Sequence, residues 1–296
     1  MAKTLIIGGG FTGLYAGYKL MKEKKDFLIL SDAPTSFSKR FANQYIFLRY
    51  DIRIRQLLKE LKIPYKKDIF KMGFYYNNKI YSKPSYNMVE NYNEKIYKNK
   101  VVSLFNLINN YNVCTTDYVQ LITELEERIQ NEGNIVYDKV KNINLQNKII
   151  ITQNKQEVSF SSIINTIPLP LFLSMSNINI DEKEHFLTIP LIINKTDFEI
   201  KNGYNQVSNC NFNSNITRYI KTGMQTTEEK MAERSEKDTI VFLKYGKILG
   251  MSNIVLDIVN NFEKENIFMA GRFAQWKQHL DTEDNISRIN SICNVI

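Results

Sequence analysis

Histidine is nearly absent from this 296-residue chain: His185 and His279 are the only two. That excludes a metal centre with several histidine ligands and a relay built on imidazoles. Cysteine is almost as scarce. Cys114, Cys210 and Cys293 stand far apart with no CxxC pair, which suits reduced thiols and offers no metal-ligand spacing. No run approaches the ~20 apolar residues needed to span a bilayer, and Met1-Ala2-Lys3 leads straight into an apolar strand rather than into a secretion signal. The expectation is a cytoplasmic protein with no metal and no membrane partner. Internal repeats, long linkers and long basic runs are also missing.

What is present is a core and a surplus of lysine. Hydrophobic residues make up 43% of the chain, and the net charge is +8. The charge can be read as attraction to polyanions, nucleic acid or nucleotide sugars among them. It can equally be read as the Lys- and Asn-rich usage of an AT-rich coding sequence, of the kind small viral genomes carry.

The strongest local signal is at the start. Leu5-Ile6-Ile7 runs into Gly8, Gly10 and Gly13, and Leu14, Ala16 and Leu20 continue as an apolar helix. Strand, tight turn and helix in that order form the dinucleotide-binding fingerprint. The first glycine allows the turn, the second lets a pyrophosphate approach the backbone, and the third lets the helix pack on the strand. Phe11 and Thr12 lie inside the turn, and the helix N-terminus offers free N–H groups to phosphates. Phe27 to Leu30 reads as the second parallel strand. Asp32 follows 19 residues after Gly13, near the position of a ribose-binding acid. Ser31 stands one place nearer, and an ordinary turn aspartate fits Asp32 as well. The loop beyond it ends in Lys39-Arg40, either two phosphate-binding cations or a solvated basic turn.

Further along, Ile54, Leu57, Leu58 and Leu61 mark a helix over residues 53–62, stopped by Pro64. Asn77-Asn78 between aromatic flanks predicts a hairpin. Tyr86 to Tyr97 is tyrosine-rich and unlike a cofactor half-domain. Asp117 caps an amphipathic helix ending near Gly133. A strand over residues 134–137 and three short β segments between 140 and 160 form a β-meander. An apolar strand then runs into Pro168 and Pro170. Strands are expected near 189–194 and 239–244, a charged exposed helix over 228–236, and an amphipathic helix over 255–262. A strand ending at Gly271 precedes a final helix near Thr282, capped by Asp281 or Thr282.

Three of these pieces together, the glycine fingerprint, Ile163-Ile164-Asn165-Thr166-Ile167-Pro168-Leu169-Pro170 and Ile267-Phe268-Met269-Ala270-Gly271-Arg272-Phe273-Ala274-Gln275-Trp276-Lys277, resemble the flavoproteins of the amine oxidase and UDP-galactopyranose mutase superfamily. The resemblance implies an α/β fold: a discontinuous, Rossmann-type, glutathione-reductase-like FAD domain (1–50, 112–170, 246–296) with its meander, and a smaller inserted α+β substrate domain (51–111, 171–245). It implies FAD on Gly8, Gly10, Gly13 and Asp32, with Val140, Thr166 and Pro168 on the adenosine side. Gly271 and Arg272 would sit at the second phosphate contact, and the amides near Asp284, Asn285 and Ile286 would face the flavin ring. Trp276 and Lys277 become candidate active-site residues, as does Arg218. For Trp276 the other reading is a core tryptophan, and for Arg218 a surface arginine; His279 is a proton carrier or a packing residue. The acid-Gly-Gly segment usual after the second strand is replaced by Thr35 to Arg40, and the chain is shorter than typical members. The implied activity is FAD-dependent oxidation of an amine-like small molecule or a modified nucleotide. The alternatives are a mutase-like reaction on a nucleotide sugar and a non-catalytic flavin- or nucleic-acid-binding protein.

Overall fold

The computed structural model describes residues 3–34, 47–97, 110–201, 203–223, 225–236, 239, 241–278 and 280–296. The first third opens with β1 (Thr4–Ile7), α1 (Phe11–Lys22), β2 (Phe27–Ser31), β3 (Phe47–Arg49), α2 (Ile52–Glu60), β4 (Tyr65–Phe70), β5 (Met72–Tyr76), β6 (Lys79–Tyr81) and α3 (Tyr86–Tyr97). The middle carries β7 (Tyr111–Thr116), α4 (Tyr118–Asn131), β8 (Ile135–Tyr137), the meander β9 (Val140–Asn144), β10 (Ile149–Thr152) and β11 (Glu157–Ser159), then β12 (Ser162–Asn165) and α5 (Leu169–Met175). The last part runs α6 (Glu182–His185), β13 (Phe186–Thr196), β14 (Gln206–Asn209), β15 (Ile216–Thr222), β16 (Gln225–Met231), β17 (Val241–Met251), α7 (Asn253–Phe262), β18 (Ile267–Met269) and α8 (Thr282–Cys293).

The topology is mixed α/β. A parallel sheet in the order β18-β12-β1-β2-β8 gathers strands from both ends and the middle of the chain. Its apolar strands are buried on both faces, as parallel sheets are. Ile6, Ile29, Ile164 and Phe268 face a core shared with α1, α2, α4 and α8. Leu5, Ile7, Leu30, Ile163 and Met269 face a second core under the meander, α5 and α7. The period-2 alternation of these strands assigns each residue to one core or the other. A seven-stranded sheet, β17-β13-β16-β15-β14-β5-β6, stands beside it, with α3 packed on one face through Tyr92, Ile96 and Tyr97. A third antiparallel sheet is ordered β3-β7-β4.

The hairpin forms where Asn77-Asn78 predicts it, with both residues at positive φ as a primed turn requires. The caps at Asp117 and Asp281 also form. One expected element is wrong. Residues 225–231 are strand β16 and not an exposed charged helix. Thr227 and Glu229 alternate into the interior, and neighbouring cations neutralise the buried carboxylate. The tyrosine-rich 86–97 stretch, left without an element by sequence, is helix α3, with Tyr92 and Tyr97 buried and Tyr86 exposed. Strand β17 continues unbroken to Met251, past residue 246. Among the described residues, no helix is long and apolar enough to cross a membrane.

Candidate functional site

The glycine turn closes as its spacing requires. Gly8 has φ +109°, and a Cβ on it would lie 2.5 Å from Thr166 Oγ1. A Cβ on Gly13 would stand 1.9 Å from the Gly8 carbonyl oxygen, so only glycine lets α1 pack this close to the turn. Gly10 is the exposed N-cap of α1, in extended conformation and with no side-chain cap. No acidic side chain occupies the first turn. The first turn therefore supplies no counter-charge to the positive end of α1. Thr166, at the end of β12, donates its hydroxyl to the Ile7 carbonyl at 2.8 Å and fastens the turn from the neighbouring strand.

Gly8, Gly10, Asp32, Val140, Thr166 and Pro168 all line one cavity of about 470 Å³. Asp32 is exposed just past the end of β2, whereas the Ser31 hydroxyl donates to the Ala33 carbonyl at 2.8 Å. Val140 is the first residue of the meander and is 5% exposed. Phe11 takes no part in the cavity: it is buried among the helices and stacks on Tyr15. Thr12 points the other way along the turn, since a Cβ on Gly271 would lie 3.3 Å from Thr12 Oγ1. The two glycine turns, one from each end of the chain, thus meet at the start of α1. Lys39, Arg40 and His279 lie outside the described residues.

Beyond Gly271, Arg272 Nη2 donates to the Gly246 carbonyl of β17 at 3.3 Å. Trp276 is 3% exposed, donates from Nε1 to the Gly250 carbonyl at 2.8 Å, and packs on Phe186 and Tyr245. It is a core residue and lines no part of the cavity. Lys277 is exposed. At α8 the Asp284 carboxylate accepts from the Asp281 amide at 3.1 Å in a capping box, and Asn285 donates its amide to the Asp281 carbonyl. Capping therefore already engages amides that sequence assigned to a flavin ring, and Ile286 is buried in the helical core. The side chains here supply other groups. Gln275 Nε2, Glu283 Oε2 and Asn285 Oδ1 are buried with no hydrogen-bond partner among the described residues. Burial holds the Glu283 carboxyl above its ordinary value, although Arg49 Nε lies 3.2 Å from its other oxygen.

Arg218 is not a free surface cation. It sits on β15 directly opposite Glu229 of β16, with Nη2 2.7 Å from Glu229 Oε2. Lys247 Nζ lies 3.0 Å from the other carboxylate oxygen, and Thr217 Oγ1 donates to that oxygen at 2.6 Å. Burial alone would raise the Glu229 carboxyl; the two cations and the hydroxyl outweigh it and hold the carboxyl far below its usual value. Sequence reading missed Glu229 and Lys247. The available signal was the alternation of Thr227 and Glu229, hidden under the formal charge of the stretch.

No protein-family model matches the sequence, and no curated protein does. Solved structures match it in fold. Reduced UDP-galactopyranose mutase superposes with a TM-score of 0.74 at 11% identity, covering 100% of this chain and 96% of that one. A fatty acid isomerase from P. acnes gives 0.67 at 12% identity, covering 99% and 97%. A putrescine oxidase variant from a redesign of cofactor binding gives 0.61 at 10% identity, covering 99% and 98%. The chain has the fold shared by these three proteins.

Proposed function

We propose that the chain is an FAD-dependent enzyme in which the parallel sheet and meander form a Rossmann-type cofactor domain and the seven-stranded sheet forms the substrate side. The observation that carries this is the convergence of the glycine turn, Asp32, Val140 and Thr166 on one cavity beside the uncapped start of α1. Those residues fit the adenosine and pyrophosphate half of FAD. The orphaned polar atoms of Gln275, Glu283 and Asn285 fit a group bearing both donors and acceptors, as a flavin ring does. Bound flavin would supply the electron chemistry; the chain supplies position, charge and shelter from water.

Of the reactions anticipated, the Arg218 cluster favours the mutase-like one on an anionic, nucleotide-linked substrate. Arg218 and Lys247 share a single buried carboxylate, and Arg272, bonded to the Gly246 carbonyl, adds its charge beside Lys247. An ammonium substrate meets like charge there, whereas a diphosphate meets opposite charge. Lys277 and Arg218 are the candidate substrate cations, Arg272 and Gly271 the candidate pyrophosphate contacts.

The test is a visible spectrum of the purified protein, followed by FAD titration with thermal unfolding. FAD at a hundredfold excess over its Kd should add about 2.7 kcal/mol of stability. No yellow chromophore and no FAD-induced stabilisation would overturn the reading. With flavin bound, turnover of a nucleotide sugar only after chemical reduction supports the mutase-like reaction, and anaerobic bleaching by amines supports oxidation instead.

A further inference from the structure

The cavity that takes in Gly8 and Asp32 has a second wall that no glycine fingerprint predicts: Phe242, Lys244 and Tyr245 of β17, a strand of the other sheet. Their position follows from how β17 pairs with β13. Pro190 lies within β13 and has no N–H to give to the ladder. Opposite it the pairing slips, from Leu191↔Leu243 to Ile189↔Lys247, so that three residues of β17, Lys244, Tyr245 and Gly246, face one of β13. Such a bulge leaves residues unpaired and re-aims their side chains. Gly246 makes it possible, since a Cβ there would fall 2.3 Å from Leu191 Cγ.

The Tyr245 ring is fixed before any ligand arrives. It crosses the Trp276 ring at 75° with centroids 5.4 Å apart. Its hydroxyl accepts from Lys244 Nζ at 3.1 Å, and Lys244 is itself paired with Glu182 at 2.9 Å. Trp276 in turn is tied by Nε1 to Gly250, on the same strand. A held aromatic ring in the wall of a cavity that also contains Val140 and Ile167 is suited to the face or edge of a purine.

We propose that Tyr245 is an adenosine-binding residue, so that the adenine half of the cofactor is enclosed between the parallel sheet and a bulge of the seven-stranded sheet. This rests on the FAD reading above. Loss of the ring should weaken binding by the worth of one base–aromatic contact, about ten- to hundredfold.

The experiment titrates FAD and ADP calorimetrically into the full-length protein freed of flavin, as wild type, Tyr245→Ala and Tyr245→Phe. Tyr245→Ala should weaken both ligands by the same factor, Tyr245→Phe should bind within a few-fold of wild type, and the ligand-free thermal midpoints should agree to within a few degrees. Unchanged affinity of Tyr245→Ala for ADP would overturn the proposal while leaving the FAD reading standing, as would a loss confined to FAD. A Tyr245→Ala protein that no longer melts cooperatively would give the ring a folding role and also count against it. Wild-type protein that binds neither FAD nor ADP would remove the FAD reading itself.

Discussion

Arg218 and Glu229 face each other across adjacent antiparallel strands, guanidinium Nη2 to carboxylate Oε2 at 2.7 Å, with the carboxylate almost wholly buried. Glu229 also neutralises Lys247. Replacing Glu229 by Gln leaves two cations enclosed without a counter-charge, and breaking a buried pair in this way costs about 3–5 kcal/mol. Urea unfolding of Glu229→Gln should show that loss. The folded carboxyl is depressed below its ordinary value of 4.5, so its stabilisation is fully present above that pH and is lost as pH falls below it towards the folded value. The wild-type advantage over Glu229→Gln should therefore hold from neutral pH down to about pH 4.5 and shrink below it. An equal gap at pH 7 and at pH 2 would contradict the assignment.

The glycines of α1 predict a graded series. A Gly13→Ala methyl meets the Gly8 backbone carbonyl at 1.9 Å, and backbone cannot step aside without opening the turn. A Gly17→Ala methyl meets Ile29 Cδ1 at 2.7 Å, the mobile end of a side chain. Overpacking costs about 1–3 kcal/mol and more where nothing can yield. Gly13→Ala should lose both stability and flavin retention. Gly17→Ala should lose less stability and keep its flavin, as measured by thermal midpoint and by the absorbance ratio of flavin to protein.

These contrasts indicate what the amino-acid order makes visible. The β1–α1 turn, the strand before Thr166 and the cap at Asp281 are local: each is decided by residues within a few positions of one another. The Asn77-Asn78 hairpin is legible for the same reason. Glu229 was misplaced because its charge is cancelled by Arg218 and Lys247, 11 and 18 residues away, and no window along the chain contains that cancellation. Tyr245 was missed because its exposure to the cavity depends on Pro190, on a different strand. Trp276 stood in an active-site motif by resemblance, yet its contacts with Phe186, Tyr245 and Gly250 are all long-range.

Lys95 offers a second pH test. Its ammonium, on α3, donates to the carbonyls of Asn209, Asn211 and Ile216 and ties that helix to the seven-stranded sheet. Burial pulls its pKa down from 10.5 to about 8. Between those values the unfolded chain binds more protons than the folded one, so this group makes stability rise with pH from about 8 to 10.5. Below pH 8 the cost of burying the charge is fully present. Lys95→Met should be less stable overall, because three carbonyls lose a donor, and its stability should lack the upward slope between pH 8 and pH 10. A wild-type curve parallel to that of Lys95→Met would show that the lysine is not buried as described.

Asp32 is the acid best placed for a ribose, exposed at the end of β2 and lining the same cavity as Gly10 and Val140. Asp32→Asn keeps the shape and removes the charge, weakening its acceptance of ribose hydroxyls. Affinity for FAD and for ADP should fall together, about tenfold, with no change in the ligand-free melting temperature. An Asp32→Asn protein that binds both ligands as wild type does would return the residue to an ordinary turn aspartate.

Trp276 separates packing from catalysis. Trp276→Phe removes the donor to the Gly250 carbonyl and leaves space beside Phe186 and Tyr245. A half-buried acceptor left unpaired costs less than the ~1–3 kcal/mol of a fully buried one, and the lost volume adds to it. The expected result is a lowered unfolding free energy in the ligand-free protein, accompanied by weaker ADP binding, because Tyr245 loses the ring that holds it. A catalytic tryptophan would give the reverse pattern: unchanged stability and ADP affinity, with turnover alone abolished. Urea unfolding and ADP titration of the single variant are enough to tell the two apart.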